Sequence, residues 1–107
     1  MRMAEFEFLS AVHHFIDQIC DLNEVDYGDF MRAANLYLLN LRAQVGDDES
    51  SARTIDHMRE YVQFHPDWDV LDTKKRLLRD AQHLRDEIAK RLFARIGATQ
   101  PLSAETH

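Results

Sequence analysis

Apolar residues recur along this chain at three- and four-residue steps, the spacing that keeps them on one side of a helix. From about Glu5 to Leu22, Phe8, Leu9, Val12, Phe15, Ile16, Ile19 and Leu22 fall on one broad side, with Ser10, His14, Asp17 and Asp21 opposite. That pattern predicts an amphipathic first helix. A second is predicted from about Asp29 to Val45, with Asp26 as its cap. A third should begin after Ser50 or Ser51, where Asp47, Asp48 and Glu49 suit its positive end, and stop at His65, because Pro66 disfavours helical backbone in the residue before it. Its stripe of Ile55, Met58 and Val62 is narrow. The fourth, from about Asp72 to Ile96, carries the longest stripe: Leu77, Ala81, Leu84, Ile88, Leu92 and Ile96. There Asp86/Lys90 and Glu87/Arg91 have the favourable acid-first order at i,i+4, and Lys90, Arg91 and Arg95 suit the negative end.

Gly28 near the start of the second segment and Gly46 at its end, Pro66 after the third and Gly97 at the end of the fourth are the punctuation of helices joined by short connections. Strict alternation is nowhere sustained, so no sheet is expected. The pattern defines an all-α fold, a small bundle of about four helices spanning residues 1–97 as one domain. The closing "GATQPLSAETH" makes residues 98–107 a mobile tail.

The second helix departs from this regularity. Phe30, Ala34, Tyr37, Leu38, Leu41 and Val45 form an ordinary core stripe, but Leu36, Leu39 and Ala43 fall on the opposite side at i, i+3 and i+7, beside Arg32. Two apolar stripes require two covers. Either the helix is central and wrapped by the other three, or the second stripe is exposed in the monomer and buried by another chain. With only four helices, one of them weakly patterned, complete wrapping is hard to arrange, which favours an interface. Both self-association and a foreign partner are open.

Composition narrows the setting. A chain of 107 residues with 45% hydrophobic and 30% charged content is a single globular domain with a modest core. No apolar run approaches the ~20 residues that cross a bilayer. Charged residues and histidines interrupt the N-terminal segment where a secretory signal would be uniformly apolar, so no signal is expected. The lone Cys20 suits a reducing compartment, and the cytoplasm is the expected location. The net charge of −6 is unevenly spread. Residues 1–72 carry fifteen acidic against five basic side chains, whereas residues 73–95 carry eight basic against three acidic. Either the halves neutralise each other on folding, which the abundance of acids on the same chain favours, or the basic helix meets an acidic partner.

His13, Asp17 and Cys20 stand at i, i+4 and i+7, a spacing that can offer metal ligands, but no second cluster supports them; a boundary histidine bonded to Asp17 with Cys20 packed as a small hydrophobe is favoured. "HPDWD" at 65–69 places a histidine and two carboxylates beside the only tryptophan. A turn is favoured there, with Asp69 or Asp72 capping the fourth helix and Trp68 closing the bundle end or serving as a binding anchor. Arg53–His57 and Arg79–His83 are each one residue short of the arginine–histidine spacing of helical ribonucleases. No phosphate-binding glycine loop, zinc knuckle or activated nucleophile is present. No enzymatic activity, metal or cofactor is expected. Lys75, Arg76, Arg79 and Lys90 on the fourth helix could contact nucleic acid, but Asp80, Asp86 and Glu87 interrupt that side and the acidic chain repels phosphate, so direct nucleic-acid binding is disfavoured.

In size, acidity and helical character, and in the stretches "NLYLLNLRAQV" and "KKRLLRDAQHLRDEIAKRLFARI", the chain resembles the small bacterial quorum-sensing antiactivators of the QslA type. The resemblance implies a helical dimer that binds the ligand-binding domain of a LuxR-type transcription factor and blocks that factor's dimerisation and DNA binding. The leading expectation is therefore a homodimeric bundle that captures a protein partner. Its partner-binding residues, read from the stripes and from the tryptophan, are Arg32, Leu36, Leu39, Ala43 and Trp68. One stripe cannot serve two partners at once, so self-dimer and target complex must use different surfaces or exchange. A structural or adaptor subunit of a larger assembly is the second reading, and a nucleic-acid binder acting through the fourth helix the third.

Overall fold

The computed structural model describes residues 3–64 and 67–98. Four helices follow one another: α1 (Met3–Asp21), α2 (Tyr27–Arg42), α3 (Glu49–Phe64) and α4 (Val70–Ala98), with no strand among the described residues. The all-α bundle expected from the periodicity is the fold observed.

Acidic caps set where the helices begin. Asp26 caps α2, accepting the Asp29 N–H at 3.1 Å. A Cβ at Gly28 would lie 3.1 Å from that carboxylate, so the glycine leaves room for the cap. At α3 the cap is Asp48 rather than a serine. Its Oδ1 accepts the Ser51 N–H at 3.3 Å and its Oδ2 accepts the Ser51 hydroxyl at 2.6 Å, so the helix starts at Glu49, earlier than expected. An ionised carboxylate taking both donors outcompetes a neutral hydroxyl for the position. Asp69 caps α4, accepting the Asp72 N–H at 2.8 Å, so α4 starts at Val70 rather than Asp72.

The helix ends differ more from expectation. α2 stops at Arg42 instead of Val45, because Gln44 N–H donates to Leu41 O (3.0 Å) and Val45 N–H to Arg42 O (3.3 Å), tightening the chain before Gly46 turns it at φ +68°. Gly97 does not end α4, which continues to Ala98; one glycine costs roughly 1 kcal/mol, too little to interrupt a long helix. The expected stop at His65 before Pro66 lies outside the described residues, as do residues 99–107 of the expected tail. α1 has no basic residue in its last turn, and α4 provides one: Lys74 Nζ donates to the carbonyls of Cys20 and Leu22, both at 3.0 Å.

Successive helices run antiparallel and close into a ring, α1 packing against α2 and α4, and α3 against α2 and α4. Cross-helix bonds mark the register. Asn35 accepts from Gln63 (3.2 Å) and Arg42 donates to Asp56 (3.1 Å) between α2 and α3, while Tyr61 donates to Asp80 (2.8 Å) between α3 and α4. Each helix sends one stripe inward: Phe8, Val12, Phe15, Ile16 and Ile19 from α1; Phe30, Ala34, Leu38 and Leu41 from α2; Ile55, Met58 and Val62 from α3; and Leu77 through Leu92 from α4. The narrow α3 stripe is widened by polar residues whose groups are satisfied. Tyr61 is buried with its hydroxyl on Asp80, and Ser51 with its hydroxyl on Asp48. Tyr27 does the same from α2, donating to Val62 O at 2.7 Å beside the buried Thr73.

The two faces of α2 should respond differently to truncation. Leu38, at 0% exposure, is expected to lose about 2–5 kcal/mol of unfolding free energy as Leu38→Ala, whereas Leu36→Ala should stay within about 0.5 kcal/mol. Urea unfolding followed by circular dichroism measures both, and comparable losses would place Leu36 in the core.

Candidate protein-binding site

A ring of four helices leaves no helix central, and this decides the fate of the second α2 stripe. α2 is covered by α1 on one flank and α3 on the other, and its outward side is open. Leu36 is 56% exposed and Leu39 44%, one helical turn apart in the middle of the element, with Arg32 and Ala43 exposed at either end of the same side. Wrapping of α2 by the other three helices, the first of the two arrangements weighed from sequence, does not occur.

The flanks of this strip differ. Toward α1 runs an open groove of about 460 Å³ whose polar lining is His14, Gln18, Tyr37, Asn40 and Gln44, so the polar border there is amide, imidazole and phenol. Toward α3 the border is ionic. Arg42 Nε lies 3.1 Å from Asp56 Oδ1, Arg59 Nη1 4.0 Å from the same atom, and Arg32 pairs with Asp29 along α2. All these groups are solvent-accessible, so the pairs orient side chains more than they stabilise the fold. The outward side of α2 is thus a short apolar strip between polar borders.

Of the five residues singled out in sequence, Arg32, Leu36, Leu39 and Ala43 share this face, and Trp68 stands apart from it at the α3–α4 turn. Trp68 is half-buried, its ring centroid 5.4 Å from that of Tyr61, and the Arg76 guanidinium lies 4.9 Å from it. Burial, followed by the bond to Asp80, pushes the Tyr61 phenol far above its ordinary value. Further exposed apolar residues stand near element ends, outside the helical stripes: Val25 and Leu71 at one end of the bundle, Phe64 at the close of α3, and Phe6 and Phe93 toward the other end. Phe93 directly follows the core position Leu92, so its signal is adjacency to the stripe rather than membership in it.

His13, Asp17 and Cys20 are all exposed, and among the described residues no group of three or more His, Cys, Asp or Glu side chains is placed to hold a metal ion. No helix of the described residues is long and apolar enough to cross a membrane. The basic α4 is largely engaged within the chain. Arg91 pairs with Asp48 at 2.9 Å, Arg95 with Glu5, and Lys74 with the end of α1, so the charge halves meet each other as well as solvent. The guanidinium of Arg91 thereby reaches Asp48 rather than the Glu87 carboxylate expected from i,i+4 spacing, and touches only the Glu87 carbonyl, at 3.5 Å. Arg85, one residue before Asp86, takes that carboxylate at 3.2 Å, where Lys90 was expected. Comparison with protein-family models, curated proteins and solved structures finds no match.

Asp48 links the α2–α3 turn to α4, and its ionisation should be visible in stability. Burial opposes its charge, but the bonds from the Ser51 hydroxyl, Arg91 and the Ser51 amide prevail and hold its carboxyl below the ordinary value. A depressed folded value gives stability that is fully present above the unfolded value near pH 4 and lost as the pH falls through the folded one. The gap in urea midpoint between the native chain and Asp48→Asn should therefore be widest near neutral pH and close below about pH 4. A gap independent of pH would show that charge at Asp48 is not what ties the turn to α4.

Proposed function

We propose that this protein is a small regulator that captures another protein on the outward face of α2, with Leu36 and Leu39 as buried anchors, Ala43 allowing close approach, and Arg32 at the rim setting orientation. The observation that carries the reading is a pair of half-exposed leucines in mid-helix, on a bundle whose core is complete without them. Leucine favours the helix anywhere along it, but two solvent-facing leucines one turn apart expose apolar area that the core does not use, and clustered apolar exposure marks interaction sites. Trp68 serves as packing at the α3–α4 turn in this proposal, and a secondary contact there remains compatible with it.

The resemblance to quorum-sensing antiactivators supplies the kind of target: the ligand-binding domain of a LuxR-type transcription factor, met in the cytoplasm. Inhibition follows from competition, since a surface occupied by this protein is withheld from the factor's own dimer and hence from DNA. Catalysis and cofactors have no part in the mechanism. The adaptor-subunit reading shares the same face and differs only in having no inhibitory consequence.

The test is a purified LuxR-type regulator from the same genome, assayed for operator binding by mobility shift with increasing amounts of this protein. Operator binding should fall, and the Leu36→Glu/Leu39→Glu variant should need at least tenfold more protein for the same effect, because each charge placed in a desolvated contact costs more than 1 kcal/mol. Capture of the regulator without loss of DNA binding would favour the adaptor reading. Equal potency of the variant would remove α2 from the mechanism.

A further inference from the structure

We propose that the end of the bundle beside the α2–α3 turn binds a small amphipathic amine, taken in apolar end first. A cavity of about 400 Å³ opens there, within the roughly 300–1,000 Å³ of small-molecule pockets. Three separate pieces of chain build it: Glu5 and Phe8 of α1, the turn from Gln44 to Asp48, and Ile88 and Arg91 of α4. Phe8, Val45 and Ile88 are core side chains and form its floor, whereas Gly46 and Asp47 are exposed and stand at its mouth. No atom lies within 4 Å of where a Cβ on Gly46 would stand, so the mouth is clear beside the turn. Neither Leu36 nor Leu39 lines the cavity, so ligand binding there is an activity additional to partner capture on α2.

Charge defines the polar end of the ligand. Arg91 in the wall is engaged by Asp48 at 2.9 Å, and Glu5 by Arg95. Asp47 makes no ion pair among the described residues, which leaves one carboxylate in excess at the mouth. The net charge of −6 acts in the same sense at longer range, drawing cations and repelling anions. The order of the two regions then fixes the orientation. A lysine side chain reaching in from another protein would carry its ammonium onto Phe8, Val45 and Ile88, where it would lose water and find no acceptor. A diamine would bury one of its two charges in the same way. An ammonium with a single apolar tail satisfies both regions at once, the tail on the floor and the charge beside Asp47. The volume keeps that tail short.

The probe is hexylammonium, titrated into the isotope-labelled full chain and followed by amide chemical shifts. Saturable shifts are expected at Phe8, at residues 44–48 and at Ile88, with none at Lys74 at the opposite end of the bundle. From butylammonium to hexylammonium, each added methylene should tighten binding by up to about fourfold, because the tail is what the floor covers. Asp47→Asn, an exposed substitution that leaves the core untouched, should weaken hexylammonium about threefold at low salt, and hexanoate should bind more weakly than either. Affinity that ignores tail length, or hexanediamine binding as tightly as hexylammonium, would reduce the effect to cations gathering on an acidic surface and overturn the site. Equal binding of hexanoate overturns the assignment of charge, and the absence of saturable shifts overturns the proposal outright. Acetyl-lysine amide binding as tightly as hexylammonium would give the cavity to a lysine of another protein and overturn the apolar-end-first orientation.

Discussion

A closed ring of four antiparallel helices gives every helix two neighbours and one inward face, and the rest of this structure depends on that constraint. The inward stripes of α1, α2, α3 and α4 complete a single core whose largest fully buried side chains are Phe15 and Phe30. Nothing remains to cover a second face on any helix. For α1 and α4 this matters less along most of their length, where outward positions are charged or polar and hydrate well, and it leaves Phe6, Leu71 and Phe93 exposed near their ends. For α2 it leaves two leucines in water, and hydration of that area is unfavourable by a few tens of calories per square ångström. The same geometry that finishes the core therefore creates the unsatisfied surface.

Electrostatics fixes the order of the ring more than it adds to its strength. The acidic N-terminal half and the basic α4 are joined at both ends of the bundle, by Lys74 on the last carbonyls of α1 at one end and by Arg95 on Glu5 and Arg91 on Asp48 at the other. Exposed pairs contribute little individually. Their placement nonetheless penalises the alternative ring in which α4 would pack elsewhere, since its cations would lose these acceptors. Engaging α4 in this way also leaves Lys75, Arg79 and Lys90 as its outward cations, with Asp86 among them, a poor track for a phosphate backbone.

The periodicity of the chain carried the helix count, the core stripes and the two-sided character of α2, because burial is a property of spacing that any neighbour will reveal. Among the boundaries, residue type pointed to the Asp26 cap of α2 and offered Asp69 for α4, but the start of α3 and the end of α2 were not legible. Asp48 and Asp69 were visible as candidate acids, but which residue caps depends on competition among adjacent oxygens, and a serine beside an aspartate loses it. Glycine often ends a helix, but the modest cost of Gly97 is overridden by a helix already long. Long-range side-chain choices were also hidden. Arg91 had a partner at i,i+4 on paper, but the turn carrying Asp48 came within its reach only in the folded ring. Trp68, legible as either anchor or packing, took a place against Tyr61 and Arg76 that no local pattern announces.

What the sequence left open about α2 was whether its second stripe was a second core. The ring topology removes that alternative on geometric grounds, and the remaining question concerns what the face meets. A surface whose borders are neutral amides on one side and balanced ion pairs on the other does not select a partner by charge. It selects by shape, and by tolerance of a short apolar contact. Such a face suits weak, exchangeable contacts better than permanent assembly. Under the proposed function this is an advantage, because a partner held too tightly would withdraw the face from use.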